Sequence, residues 1–331
     1  MRNENSVFGG ITWIAIALLI AMPLSLPSAT LATEIVIFAL AALACNILLG
    51  YAGLLSFGQG IFFGGGAYAA SLAMLHLHVG MILALTIAIV VGGLLAFIVG
   101  IMSIRRTGIY FVMLTLAFTQ MAYFLAYTFS DWTGGDNGLL DVPRPDLSVF
   151  NYQVANLSSS ESFYVFVAVL FAAVFIFCRR IIQSPFGTTL IAIRENEGRA
   201  SAVGFSTNHF KLLAFVLSGA ITGMAGALYA MLINFAPLSN IELGMSENIL
   251  IMTIIGGTKS LLGSLLGSGL IVTLGDVLSS IWPRWLMALG AALIAVVLFM
   301  PDGLWGGITA LKERAKKLKK SKSVNVSEVL K

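Results

Sequence analysis

Few side chains in this 331-residue sequence are placed for covalent chemistry. Gly256-Gly257-Thr258-Lys259-Ser260 comes nearest to a phosphate-binding loop, which needs Gly directly before the Lys and another five residues earlier. Thr258 and Thr253 stand at those places, so no nucleotide site is expected. His76 and His78 are two apart, on different faces of a helix, which is poor geometry for a shared metal. Asp131, Asp136, Asp141 and Asp146 recur every five residues, unlike the alternating oxygen ligands of a calcium loop. Neither Gly-x-Ser-x-Gly nor His-Glu-x-x-His occurs. Asp276 is the one acid inside an apolar run, which is little for a proton or sodium relay. No catalytic residue, metal or cofactor is expected.

The more informative groups are uncharged. Ser56, Gln59, Tyr110, Thr115, Thr119 and Gln120 interrupt otherwise apolar stretches, and Thr115 and Thr119 share a helix face. Such a lining suits a zwitterion or small polar solute, although each group alone would also serve as an interhelical hydrogen bonder. Opposite in character is Ser184–Lys211, a segment carrying Arg194, Glu195, Glu197, Arg199 and Lys211 between long apolar runs. It has the composition of a place where an energy source is attached.

The elements that must position these groups are membrane helices. The chain is 58% hydrophobic and 10% charged, whereas a soluble domain carries about 25% charged residues. Lipid offers no partners to the main chain, so the spans must be helical. Apolar runs place them near 8–26, 34–50, 58–77, 80–104, 109–128, 163–181, 212–233, 247–257 (short), 262–281 and 285–300. The fold expected is an all-α polytopic integral membrane protein of about ten transmembrane helices (eight to ten). One integral domain covers 1–306, and a basic tail covers 307–331. The stretch from Phe8 to Leu31 is read as a retained first span rather than a signal peptide.

Charge orients the chain. With both termini cytoplasmic, every Lys and Arg except Arg144 and Arg284 falls inside, as the positive-inside rule asks. The 129–162 loop is then external and the 184–211 loop cytoplasmic. Seven Lys/Arg within 312–322 make the tail basic, which suits anionic headgroups beside a span rather than nucleic acid. Cys45 and Cys178 lie far apart in apolar runs and are expected to be buried and unpaired.

Small residues recur four apart at Gly92/Ala96/Gly100, Gly219/Gly223/Ala227 and Ser260/Ser264/Ser268, allowing close helix approach within one subunit or between two. Two glycine-rich interruptions stand out, Gly50 to Gly60 and Gly256 to Ser260. Broken hydrophobic segments in both halves point to a transport pathway. Tight turns between antiparallel helices are the plainer reading.

These motifs together resemble the permease subunits of branched-chain amino acid (Liv-type) ATP-binding-cassette importers, most closely the LivM-like branch. The landmarks are Gly50-Tyr51-Ala52-Gly53-Leu54-Leu55-Ser56-Phe57-Gly58-Gln59-Gly60, the run from Arg106 to Ala117, Thr133-Gly134-Gly135, Ser184-Pro185-Phe186-Gly187, Ile193-Arg194-Glu195-Asn196-Glu197 and Pro301-Asp302-Gly303-Leu304. The resemblance implies a non-catalytic subunit in the cell membrane. It also implies a sister permease (LivH-like), two cytoplasmic ATPase subunits and an extracytoplasmic solute-binding protein as partners. It maps an ATPase-coupling element onto Arg194, Glu195, Asn196, Glu197, Arg199, Ala200 and Gly204, with Ser201 where many relatives carry an acid. Leucine, isoleucine and valine are the expected cargo. A urea or short-chain amide importer is the alternative within the class, and a stand-alone secondary transporter the alternative outside it.

Overall fold

The computed structural model describes residues 15–23, 26, 28–149, 152–258, 260–281, 284, 287, 288, 290, 291, 294, 298 and 303–307. After helical residues 15–23 come α1 (Ala29–Asn46, prolonged by a π-helical turn Ile47–Ala52), α2 (Gln59–Leu77), α3 (Met81–Ser103) and α4 (Ile109–Thr128). A small antiparallel hairpin follows, β1 (Leu147–Val149) and β2 (Tyr152–Ala155), with Val149 opposite Tyr152. Then come α5 (Ser160–Gln183), α6 (Pro185–Glu195), α7 (Glu197–Ala202), α8 (Thr207–Ile233), α9 (Leu243–Gly256) and α10 (Leu261–Ile281). All but α6, α7 and α9 are long and apolar enough to cross a bilayer, giving seven such helices among the described residues. The expected span at 8–26 overlaps the helical residues 15–23. Most of the 285–300 span, Lys259 and the basic tail after 307 lie outside the described residues.

Local signals set the helix starts. Ser28 Oγ accepts from Leu31 N at 3.1 Å and Ser159 Oγ from Ser162 N at 3.2 Å, each meeting an otherwise orphaned donor. Pro185 opens α6 at a position that needs no N–H donor. Helix α1 is buried along nearly its whole length, so its apolar residues face other helices all round. The small-residue stripes are spent inside the chain. Gly219 and Gly223 of α8 lie against Gly92 of α3, and a Cβ built on Gly66 of α2 would come within 2.2 Å of the Gly223 carbonyl oxygen. Aromatic edges fill the rest, with Phe215 at 5.4 Å from Phe62 and 6.0 Å from Phe111 between ring centres. Cys45 and Cys178 are buried and unpaired.

The segment between α4 and α5 folds onto the end of α8. Leu139 and Ala236 exchange main-chain hydrogen bonds at 3.0 and 2.9 Å. Arg144 donates to the carbonyls of Met231 and Leu232 at 3.1 and 2.9 Å and lies 4.4 Å over the Phe163 ring. Burial there pulls the guanidinium pKa below its ordinary value. No three acidic, His or Cys side chains converge as a metal cluster among the described residues, the four aspartates included.

The tight α2–α8 crossing yields a direct test. A Cβ on Gly226 would sit 1.8 Å from the Phe63 carbonyl oxygen, whereas one on Gly244 meets nothing within 4 Å. Gly226→Leu should therefore abolish a monodisperse peak in detergent, overpacking costing about 1–3 kcal/mol or more. Gly244→Ala should leave the melting temperature unchanged.

Candidate translocation and coupling sites

Helix α8 serves as a ruler for depth. Ser218 lies 11 positions after Thr207, the first residue of α8, so it sits about 16 Å along the helix at ~1.5 Å per residue. Gln59, the first residue of α2, donates from Nε2 to Ser218 Oγ at 3.2 Å and accepts from Thr222 Oγ1 at 2.8 Å. Helix α2 therefore begins near mid-membrane. Residues 53–58 before it are non-helical and climb to that depth from the end of α1.

A second interruption mirrors the first. Gly60 N donates to Ser246 Oγ at 2.7 Å, so the start of α9 lies at the same depth as the start of α2. At 14 residues, α9 spans only about 21 Å, less than the ~30 Å of hydrocarbon. The short apolar run at 247–257 thus belongs to a half-length helix, preceded by chain from 234 to 242 that holds the 3-10 turn Leu238–Asn240. The two helices run in opposite directions from N-termini that meet near mid-membrane, α9 at half length and α2 at 19 residues.

The far ends of the breaks are also joined. Asn46 Nδ2 donates to the Ser260 carbonyl at 2.8 Å, and a Cβ on Gly50 would lie 2.1 Å from the Thr258 carbonyl oxygen. Gly303, at φ +70°, lies against Gly257. The glycines that interrupt the apolar runs are what let these carbonyl-bearing turns close on one another.

Of the six expected pathway residues, four converge on the 53–58 segment. Thr115 Oγ1 accepts from Phe57 N at 3.2 Å, and Thr119 Oγ1 donates to the Phe57 carbonyl at 2.8 Å. Ser56 Oγ accepts from Gly58 N at 3.1 Å, while Gln59 is clamped by α8 as described. All four are fully or almost fully buried, so they hold the irregular main chain in place. Tyr110 and Gln120 lie instead on the exposed side of α4, Tyr110 at 71% exposure.

Sequence reading missed the polar side of α9. Glu242, Glu247 and Asn248 are exposed next to Ser246, at mid-depth. The only intramembrane acid anticipated was Asp276, which is exposed on α10 and close enough to Glu34 of α1 to act on it electrostatically. Glu242 and Glu247 escaped notice because they precede or open a short apolar run. The half-length helix, visible only in the fold, is what places them inside the bilayer. Nearby, Tyr68 Oη, Ser71 Oγ and both amide atoms of Asn240 are buried without a hydrogen-bond partner among the described residues. Tyr68 packs where Leu238 and Ile241 meet α2.

The charged segment is a helix pair whose residues divide into two sets. Arg194 Nη1 donates to the Gly50 carbonyl. Asn196 caps α7, its Oδ1 accepting from Arg199 N at 2.9 Å. Glu197 pairs with Lys211, whose side chain is 5% exposed, and Ala200 is buried. Glu195, Arg199 and Gly204 face outward, Gly204 at φ +102°. Outward too are Val203, 74% exposed, and Phe205, 42% exposed, neither of them anticipated. Phe205 and Phe186 flank Phe210 at 6.1 and 5.7 Å, tying the tip to the start of α8.

A multi-helix membrane protein in which two crossings are broken at mid-depth has the architecture of a transport permease. The chain belongs to the family described as the permease component of branched-chain amino acid transport systems, whose model matches residues 28–299. It is 27% identical over 295 residues to the high-affinity branched-chain amino acid transport system permease protein LivM of Salmonella typhimurium, covering 84% of this chain and 69% of that protein. The corresponding LivM of Escherichia coli is 26% identical over 309 residues, covering 87% and 73%. The autoinducer 2 import system permease protein LsrC of Klebsiella pneumoniae is 28% identical over 194 residues, covering 56% and 54%. No solved structure matches. The protein is a multi-pass membrane permease of a transport system and not a catalytic enzyme.

The clamp on Phe57 generates a measurable expectation. Thr119→Val leaves the Phe57 carbonyl unpaired in a buried setting, at a cost of about 1–3 kcal/mol. It should lower thermal stability in detergent and raise hydrogen exchange at 53–60, whereas Gln120→Leu on the exposed side should do neither.

Proposed function

We propose that this chain is one of two permease subunits in an ATP-driven, binding-protein-dependent importer whose cargo is leucine, isoleucine and valine. In this reading two ATPase subunits dock on the α6–α7 pair, and an extracytoplasmic binding protein delivers solute at the opposite side. Both termini and the 184–211 segment are cytoplasmic, and the 129–162 segment is external. The observation that carries the reading is the family match over 28–299 on a chain that presents an outward, mixed charged and apolar tip at Glu195, Arg199, Val203 and Phe205.

The exposed acids of α9 bear on the sister subunit. A charge facing hydrocarbon costs at least ~2.5 kcal/mol, so Glu242 and Glu247 need protein or water beside them rather than lipid. We place the second permease and the solute route on that face, with Asn248 beside them and Gln120 on the neighbouring α4. The similarity to an autoinducer 2 import permease makes cargo identity a question for the binding protein.

The test is reconstitution of both permeases and the ATPases in liposomes with the binding protein. ATP-dependent uptake of leucine, isoleucine and valine is expected, with none of urea. Gly204→Trp should leave the permease in the membrane and abolish uptake by blocking ATPase docking, whereas Gly204→Ala, which carries the same left-handed backbone strain (φ +102°) with open space around its Cβ, should retain uptake. Uptake by Gly204→Trp at the normal rate, or uptake driven by an ion gradient through this chain alone, would refute the assignment. For orientation, Ser201→Cys should react with an impermeant thiol reagent only from the cytoplasmic side, and Asp141→Cys only from outside.

A further inference from the structure

Arg194 is an exposed residue of the charged segment, yet its guanidinium reaches back to the main chain at the end of α1. Nη1 donates to the carbonyl of Gly50, in the π-helical turn that ends α1. The arginine's aliphatic stem covers Gly53, where a Cβ would stand 2.9 Å from Arg194 Cγ and where φ is +71°. Gly53 is the first residue of the non-helical climb toward mid-membrane. One side chain of α6 therefore touches both the end of the α1 span and the beginning of the 53–58 segment.

The contacts continue in both directions from that point. Gly50 lies against the Thr258 carbonyl, and Asn46 holds Ser260, so the turn that Arg194 grips is packed on the second break as well. Beyond Gly53, Ser56 supports Gly58 N, and Thr115 and Thr119 hold Phe57. Just past the bend between the two helices, the Glu197–Lys211 ion pair attaches the start of α7 to α8. Lys211 moves with a continuous helix; Gly50 and Gly53 belong to the interrupted one.

We propose that Arg194 is a positioning residue that transmits movement of the α6–α7 pair to both broken crossings through the Gly50 carbonyl and the Gly53 main chain. The proposal rests on the importer reading above. An arginine suits the task because its charged fork makes strong hydrogen bonds to a carbonyl while its stem packs on the main chain. Gly50 lies in the last turn of the π-helical segment, where carbonyls lack intrahelical donors, so it can accept such a bond without giving up a helical one.

The test uses the reconstituted complex of both permeases, ATPases and binding protein, measuring solute uptake and ATP hydrolysis in the same vesicles. Arg194→Gln should co-purify with the ATPases and hydrolyse ATP normally. Its solute moved per ATP should fall by roughly five-fold or more, the lower end of ordinary coupling between sites. Arg194→Lys, which keeps a donor and a stem, should recover part of the loss. Gly53→Ala, whose Cβ would press on the stem from a left-handed backbone (φ +71°), should reproduce it with Arg194 intact and with ATPase co-purification unchanged. An unchanged ratio in Arg194→Gln would overturn the proposal. So would loss of ATPase co-purification, which would make Arg194 a docking residue. Absence of ATP-driven uptake in the wild-type complex would instead sink the importer reading, a result separable from either.

Discussion

Main-chain polar groups that leave a helix inside a bilayer must find partners within the protein, and the structure is built around two places where they do. Residues 53–58, which are non-helical, and 234–242, which hold only a 3-10 turn at Leu238–Asn240, both run to about the depth where α2 and α9 begin. Threonines, serines and a glutamine from neighbouring helices answer the first of these segments. The second is answered by the Leu139–Ala236 exchange and by turns of its own. Helix α8 is the common wall for both, with glycines where the neighbouring backbones must approach it closely.

Breaking two crossings rather than leaving them continuous has a mechanical consequence. A continuous helix shifts as a rod, whereas a half-length helix joined to irregular chain pivots where they meet. Here the pivots are stacked, Gly60 on Ser246 at mid-depth and Gly50 on the Thr258 carbonyl at one end. The same arrangement brings Glu242 and Glu247 to a depth where solvent or a second subunit must attend them. On the proposed reading, the outward tip at Val203 and Phe205 receives the push, and Arg194 and Lys211 divide it between an interrupted and a continuous helix.

The helical membrane class, the positions of the long spans and the two interruptions were legible in the sequence because apolar runs and glycine clusters are one-dimensional signals. Ser56, Gln59, Thr115 and Thr119 were legible only as candidates for a neutral lining, together with Tyr110 and Gln120. The convergence of the first four is real, but each is spent on Phe57, Gly58 or α8, a distinction that depends on which way a side chain turns. That the 247–257 run covers half the bilayer could not be read from hydropathy, because length alone does not distinguish a tilted span from a half helix. Nor could it be read that Arg194 reaches the Gly50 carbonyl while Arg199 stays exposed on α7, since the charged residues of this segment look alike until the Asn196 cap sets the bend between the two helices. Val203 and Phe205 were not singled out, although two apolar side chains within a charged segment are a usable signal of a contact surface.

The central claim is that the α6–α7 pair and the two breaks form one mechanical unit. Hydrogen exchange followed by mass spectrometry on the assembled importer, with and without a non-hydrolysed ATP analogue, measures this most directly. The account predicts that protection changes at 194–206 are accompanied, on the same timescale, by changes at 50–60 and 254–262, while 212–230 of α8 stays protected throughout. Changes confined to 194–206, with both breaks silent, would contradict it.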